Sequence, residues 1–155
     1  LPRVQVYTDA SCSSTNKVIG GIVYSKQTLG FFNNLEDSRW LLRANEMKNP
    51  IIVFEALAVY VMALAFGEHL SGRRVVVHID NRVVLSALID GYSQVPVVSD
   101  LVKNILFCFR NMNAYPYFVY VNTKANISDG LTREELRKKC IELFGLTMVD
   151  VSLPY

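Results

Sequence analysis

The chain has 155 residues, with 16 Lys and Arg against 14 Asp and Glu for a net charge of +2, and is 51% hydrophobic and 19% charged. That length suits one domain with a buried core, and the composition excludes disorder, collagen-like repeats and low-complexity fibres. So small a surplus of positive charge also excludes polyanion binding by bulk charge, so any such site must be a local patch.

Val4 to Thr8 alternates in polarity and predicts a strand. Val18 to Ser25, opened by Gly20-Gly21, and Thr28 to Phe32 predict two more, and the short link around Lys26-Gln27 favours a hairpin. Leu35 to Asn49 is a mixed segment whose Trp40 is expected to pack beneath the sheet. Pro50 suits the start of a helix running to about Leu70, stopped by Ser71-Gly72. Its stretch from Ile51 to Phe66 is almost wholly apolar but shorter than the roughly 20 residues of a membrane span, so we expect a buried helix and no membrane partner.

Val75 to Ile79 is a continuous apolar run of the type buried on both faces of a sheet. Asp80-Asn81 can cap a short helix from Arg82 to Ile89, and Pro96 opens another to about Met112. Tyr115 to Val121 predicts a fifth strand, Asn122 to Asn126 a polar loop, and Ser128 to Phe144 one amphipathic helix closed by Gly145. The order β-β-β-α-β-α-α-β-α implies an α/β fold, a mixed sheet with helices on its faces. Sites in such folds lie beyond strand ends.

Cys12, Cys108 and Cys140 are odd in number, widely spaced and without a CxxC, which argues against a disulfide framework or a zinc site. Free thiols in a reducing, intracellular compartment are expected, two of them in helices. The start at Leu1-Pro2, without Met or a charged leader, leads us to expect a single domain over residues 1–155 excised from a longer polyprotein or polymerase.

Four acids stand where a solvated surface does not account for them. Asp9 is expected to end the first strand and Asp80 the fourth, Glu55 lies inside the apolar helix, and Asp129 begins the last helix. A carboxylate flanked by Phe54 and Leu57 is costly unless protonated or matched by a basic group or a cation. If the fold gathers the four together without basic partners, hard divalent cations such as magnesium or manganese are the natural counter-charge. Each acid alone also has an ordinary reading as a turn or helix cap; the joint pattern is what points to metal chemistry.

Val6-Tyr7-Thr8-Asp9-Ala10-Ser11, the buried Glu55, Val77-His78-Ile79-Asp80-Asn81 and Asn126-Ile127-Ser128-Asp129-Gly130-Leu131-Thr132-Arg133 together resemble the ribonuclease H family. The likeness is to the ribonuclease H domains of reverse-transcribing elements, such as retrotransposon and hepadnavirus-like polymerases. The resemblance implies a ribonuclease H-like α/β fold with a five-stranded mixed sheet, three antiparallel strands then two parallel, and helices on both faces. It implies cleavage of the RNA strand of RNA–DNA hybrids by two-metal-ion hydrolysis, with Mg2+ as cofactor and Mn2+ able to substitute. Asp9, Glu55, Asp80 and Asp129 would be the catalytic, metal-binding carboxylates, with Asp9 bridging two ions. An attached or associated reverse transcriptase domain would be a partner.

Ser11, Asn81 and Asn126 stand beside these acids as candidates to hydrogen-bond sugar or phosphate, and Arg82, Lys124 and Arg133 are candidate backbone contacts, with Lys17, Arg39 and Arg43 as further cations. The loop before Asp129 lacks the His of many cellular members, and His69 and His78 are read as structural. The missing loop His implies slow turnover, and the connection from Gly91 to Val95, which carries no basic helix, implies weak independent hybrid affinity. Same-fold integrases end their set with Glu, and proofreading exonucleases place Asp-x-Glu in the first strand; Asp129 and Asp9-Ala10-Ser11 favour the hybrid nuclease. The alternative is a catalytically weak or inactive module of this fold that binds nucleic acid or protein.

Overall fold

The computed structural model describes residues 3–36, 38–45 and 47–154. Alternation in the first strand, β1 (Val4–Cys12), sends Val4, Val6 and Ala10 into the main core, with Tyr7 and Asp9 on the other face. β1 pairs antiparallel with β2 (Lys17–Tyr24), and β2 with β3 (Thr28–Asn34), the second pairing as the short link around Lys26-Gln27 predicts. β2 is buried on both faces: Ile19 and Val23 join the main core, and Ile22, of opposite parity, joins a second cluster with Leu131, Cys140 and Leu146.

The mixed segment supplies a short helix, α1 (Arg39–Asn45). Trp40 on it is buried in the main core as expected, and its indole N–H donates to the Pro154 carbonyl at 2.7 Å. α2 (Ile51–Ala65) packs on β1 and β2 and is covered in turn by α5 (Pro96–Asn111), so it is apolar nearly all round. The long helix expected to reach Leu70 breaks at Phe66 (φ −113°, ψ 21°), and a separate turn, α3 (Gly67–Leu70), follows. No helix among the described residues is long and apolar enough to cross a membrane.

β4 (Arg74–Ile79) pairs parallel with β1, and β5 (Tyr115–Tyr120) parallel with β4. Between them α4 (Arg82–Asp90) is capped by Asn81, whose side chain accepts from the Val84 N–H at 3.0 Å, and ends at Gly91 with φ 83°.

Two further expectations need correction. The C-terminal helix is not continuous: α6 (Asp129–Thr132) and α7 (Glu134–Phe144) are separated by Arg133 in extended backbone (φ −114°, ψ 115°). The break lets α6 lie on the sheet over β1 and β2 while α7 leads away. The sheet also has six strands among the described residues, not five, in the order β5-β4-β1-β2-β3-β6. The sixth, β6 (Thr147–Met148), pairs parallel with the edge of β3. Two residues carry no periodicity to read, and the pairing exists only because the tail returns along β3, where Asn33 Nδ2 holds the Val151 carbonyl at 2.9 Å. With α2 on one face and α6 on the other, the mixed sheet has helices on both faces, as expected.

Candidate active site

The pairing of β4 with β1 ends at His78 opposite Tyr7, while β1 runs on beside β2 to Cys12. Asp9 therefore lies inside β1 rather than at its end, but beyond the last residue that β4 pairs with. Continuing the parallel register brings Asp80, just past β4, level with Asp9. The gap left beside β1 also admits Glu55 from the first half of α2. Asp9, Glu55 and Asp80 each offer an oxygen within 4.8 Å of the others.

Asp9 and Glu55 are buried, at 4% and 6% exposure, so two of these acids have almost no water to solvate a charge. Burial first, then the Asp80 charge, raises the Asp9 carboxyl to about 8, against the hydrogen bond from Thr132. Burial, with Asp80 and Asp9 adding to it, pushes Glu55 well above the ordinary carboxylate range, opposed by a backbone hydrogen bond from Ala10. Among the described residues no Lys or Arg pairs with these three acids. An all-oxygen, like-charged cluster without a basic partner fits a hard divalent cation.

Two buried side chains assemble the cluster. Asn126 donates from Nδ2 to the Thr8 carbonyl and to Asp80 Oδ2, both at 2.9 Å, and its Oδ1 accepts from the Ser128 N–H at 3.2 Å and hydroxyl at 2.6 Å. Its hydrogen-bonding groups are thus engaged within the protein, beneath the acids. Thr132 donates to Asp9 Oδ2 at 2.9 Å, with the Asp129 carbonyl 3.0 Å away as a second acceptor. The strand residue opposite Asp9 is Gly20, where an added Cβ would sit 3.2 Å from Thr132 Cγ2. The missing side chain there admits Thr132, a contact that the sequence reading did not single out. Its one signal was the position of Thr132, three residues after Asp129 and one turn on in a helix.

Asp129 opens α6 close enough to Asp9 for its charge to add to the rise in the Asp9 pKa. It is not one of the three acids whose oxygens lie within 4.8 Å of one another, and unlike them it has a basic partner: Arg133 Nε lies 3.0 and 3.2 Å from its two oxygens.

The remaining candidates lie around this centre in different settings. Ser11, half-buried, lines with Arg133 a polar cavity of about 500 Å3. Arg82 is exposed, its guanidinium 3.9 Å from the Tyr120 ring centre, and Lys124 is exposed in the turn Thr123–Ala125. Elsewhere, Arg43 lies over Trp40 and 3.9 Å from Asp100, and Lys17 donates to the Ser13 carbonyl. His78 stacks on Tyr7 at 4.1 Å with Nε2 2.8 Å from Gln5 Oε1, and His69 lies beside Phe66, so both serve packing as expected. Cys12, Cys108 and Cys140 are free, the latter two in α5 and α7.

No protein-family model matches the chain, and no curated protein does. Solved structures do match. Ribonuclease H1 from the halophilic archaeon Halobacterium salinarum NRC-1 aligns over 91% of this chain and 98% of its own, with 11% identity and a TM-score of 0.61. The N-terminal ribonuclease H domain of Rv2228c from Mycobacterium tuberculosis aligns over 91% and 97%, with 9% identity and a TM-score of 0.62. LC11 ribonuclease H1, in a complex with an RNA/DNA hybrid, aligns over 88% and 98%, with 16% identity and a TM-score of 0.55. The fold is that of ribonuclease H. At such identities the likeness establishes the ribonuclease H architecture alone, and the chemistry rests on the carboxylates described above.

Proposed function

We propose that this chain is a divalent-metal-dependent endoribonuclease that cleaves the RNA strand of RNA–DNA hybrids. The observation that carries the reading is the convergence of Asp9, Glu55 and Asp80 within 4.8 Å, two of them buried and none with a basic partner. The ribonuclease H architecture supports it, and the neighbour bound to an RNA/DNA hybrid supports the substrate class.

In this reading Asp9, Glu55 and Asp80 hold one Mg2+ or Mn2+, and Asp9 with Asp129 holds a second. Bound divalent ions supply activation of the attacking water and stabilisation of the leaving oxygen. The protein supplies position: Asn126 fixes Asp80 against β1, and Thr132 fixes Asp9 against α6. Arg82, Lys124 and Arg133, exposed, offer charge to backbone phosphates. We further propose that the domain belongs to a reverse-transcribing polymerase in an intracellular setting. The loop Asn122–Asn126 without His and the short, uncharged link from Gly91 to Val95 support that origin.

The test is to incubate the protein with labelled hybrid, duplex DNA and duplex RNA in Mg2+, Mn2+ or EDTA. Loss of the hybrid's RNA strand alone, abolished by EDTA, is expected; cutting of DNA would overturn the substrate assignment. The second reading, a binding module without activity, has one observation in its favour, the Arg133 side chain on Asp129. Hybrid binding without cleavage in either metal would establish it.

A further inference from the structure

Arg133 makes the only ion pair to any of the four acids among the described residues. Two features leave this pair room to open. Both partners are partly exposed, with 47% of the arginine side chain and 30% of the aspartate side chain accessible, so little packing holds them. The Arg133 backbone is fixed at the junction of the two helices, where its carbonyl accepts from the Leu136 N–H at 3.0 Å, so only its side chain is free to move. The polar cavity of about 500 Å3 beside it, lined by Ser11, Ser13, Glu134 and Glu135, offers the guanidinium a second resting place with acids of its own.

A guanidinium and a divalent cation compete for the same carboxylate oxygens, and both cannot hold them. We propose that Arg133 is a removable counter-charge on Asp129, a positioning residue that withholds this carboxylate from a divalent cation until the guanidinium leaves. This rests on the metal-dependent reading above and deepens it. The free chain takes one divalent ion at Asp9, Glu55 and Asp80, and a second only when Arg133 has moved into the cavity or onto a phosphate. The planar guanidinium fork suits a phosphate well. A polyanion that claims Arg133 therefore strengthens the second ion's binding, and that ion strengthens the polyanion's by the same factor.

The experiment counts Mn2+ bound to the whole, nucleic-acid-free chain by the loss of the free-ion electron paramagnetic resonance signal. The unaltered chain is expected to take up one Mn2+, and Arg133→Gln two, with the second constant tightened at least about tenfold. Arg133→Lys, which keeps the charge, restores the one-ion isotherm. Asp129→Asn added to Arg133→Gln removes the second ion. Lys138→Gln, which deletes an exposed charge on α7, leaves the isotherm as in the unaltered chain. Identical isotherms for the unaltered chain and Arg133→Gln, or the same gain from Lys138→Gln, overturn the counter-charge role and leave the metal reading standing. No Mn2+ bound by any variant overturns both.

Discussion

A carboxyl group as buried as Asp9 folds more easily with its proton than without it. Its ordinary pKa of 3.8 is raised to about 8, chiefly by burial, and Glu55 moves the same way. Between those limits the folded chain holds protons that the unfolded chain has released, so stability falls as pH rises from about 4 towards 8. Without metal, the melting temperature is expected to drop from pH 5 to pH 8, and Mg2+ or Mn2+ to raise it more at pH 8 than at pH 5. Thermal scans in EDTA and in metal check this; a flat metal-free profile would contradict the buried, unpaired acids. Asp80→Asn is expected to reduce hybrid cleavage to background with an unchanged circular dichroism spectrum, and retained activity would remove Asp80 from the ligand set. Asn126→Ala leaves the Thr8 carbonyl, Asp80 and Ser128 without their partner, and should cost on the order of 2 kcal/mol in urea unfolding.

Among the elements, α6 is the one on which the site's geometry turns. It is four residues long and gains no stability from its own hydrogen bonding, so its place is set by contact with β1, β2 and α7. At Gly130 an added Cβ would lie 2.8 Å from Cys140 Cβ, closer than packed side chains allow. Gly130→Ala is expected to destabilise the fold by about 1–3 kcal/mol, as overpacking does, and to lower cleavage by moving Asp129 and Thr132 away from Asp9. Equilibrium unfolding and the hybrid assay on the same variant read the two effects; full stability and full activity would show that α6 tolerates displacement.

At the scale of the whole molecule the net charge of +2 leaves a small electrostatic hold on a polyanion. Near the carboxylates the exposed cations are Arg82, Lys124 and Arg133, the last engaged with Asp129. Neutralising about three phosphates gives a slope near −3 for log affinity against log salt concentration. Hybrid binding titrated between low and physiological salt checks this, and a much steeper slope would reveal a larger basic surface than these residues form.

Periodicity in the amino-acid sequence was enough to determine the five longer strands, the buried character of α2 and the presence of acids at Asp9, Glu55, Asp80 and Asp129, because local alternation and a charge inside an apolar run leave direct traces. It could not show β6, whose two residues pair only when the tail lies along β3, or the break at Arg133, where adjacent helical stretches read as one. Nor could it show that Asn126 binds inward to Asp80, or that Arg133 covers Asp129. Those outcomes belong to the tertiary structure, since they depend on the register that sets Asp80 level with Asp9 and on the space that Gly20 leaves for Thr132. A carboxylate's chemistry follows from what lies within a few ångströms of it, and here those neighbours come from distant parts of the chain.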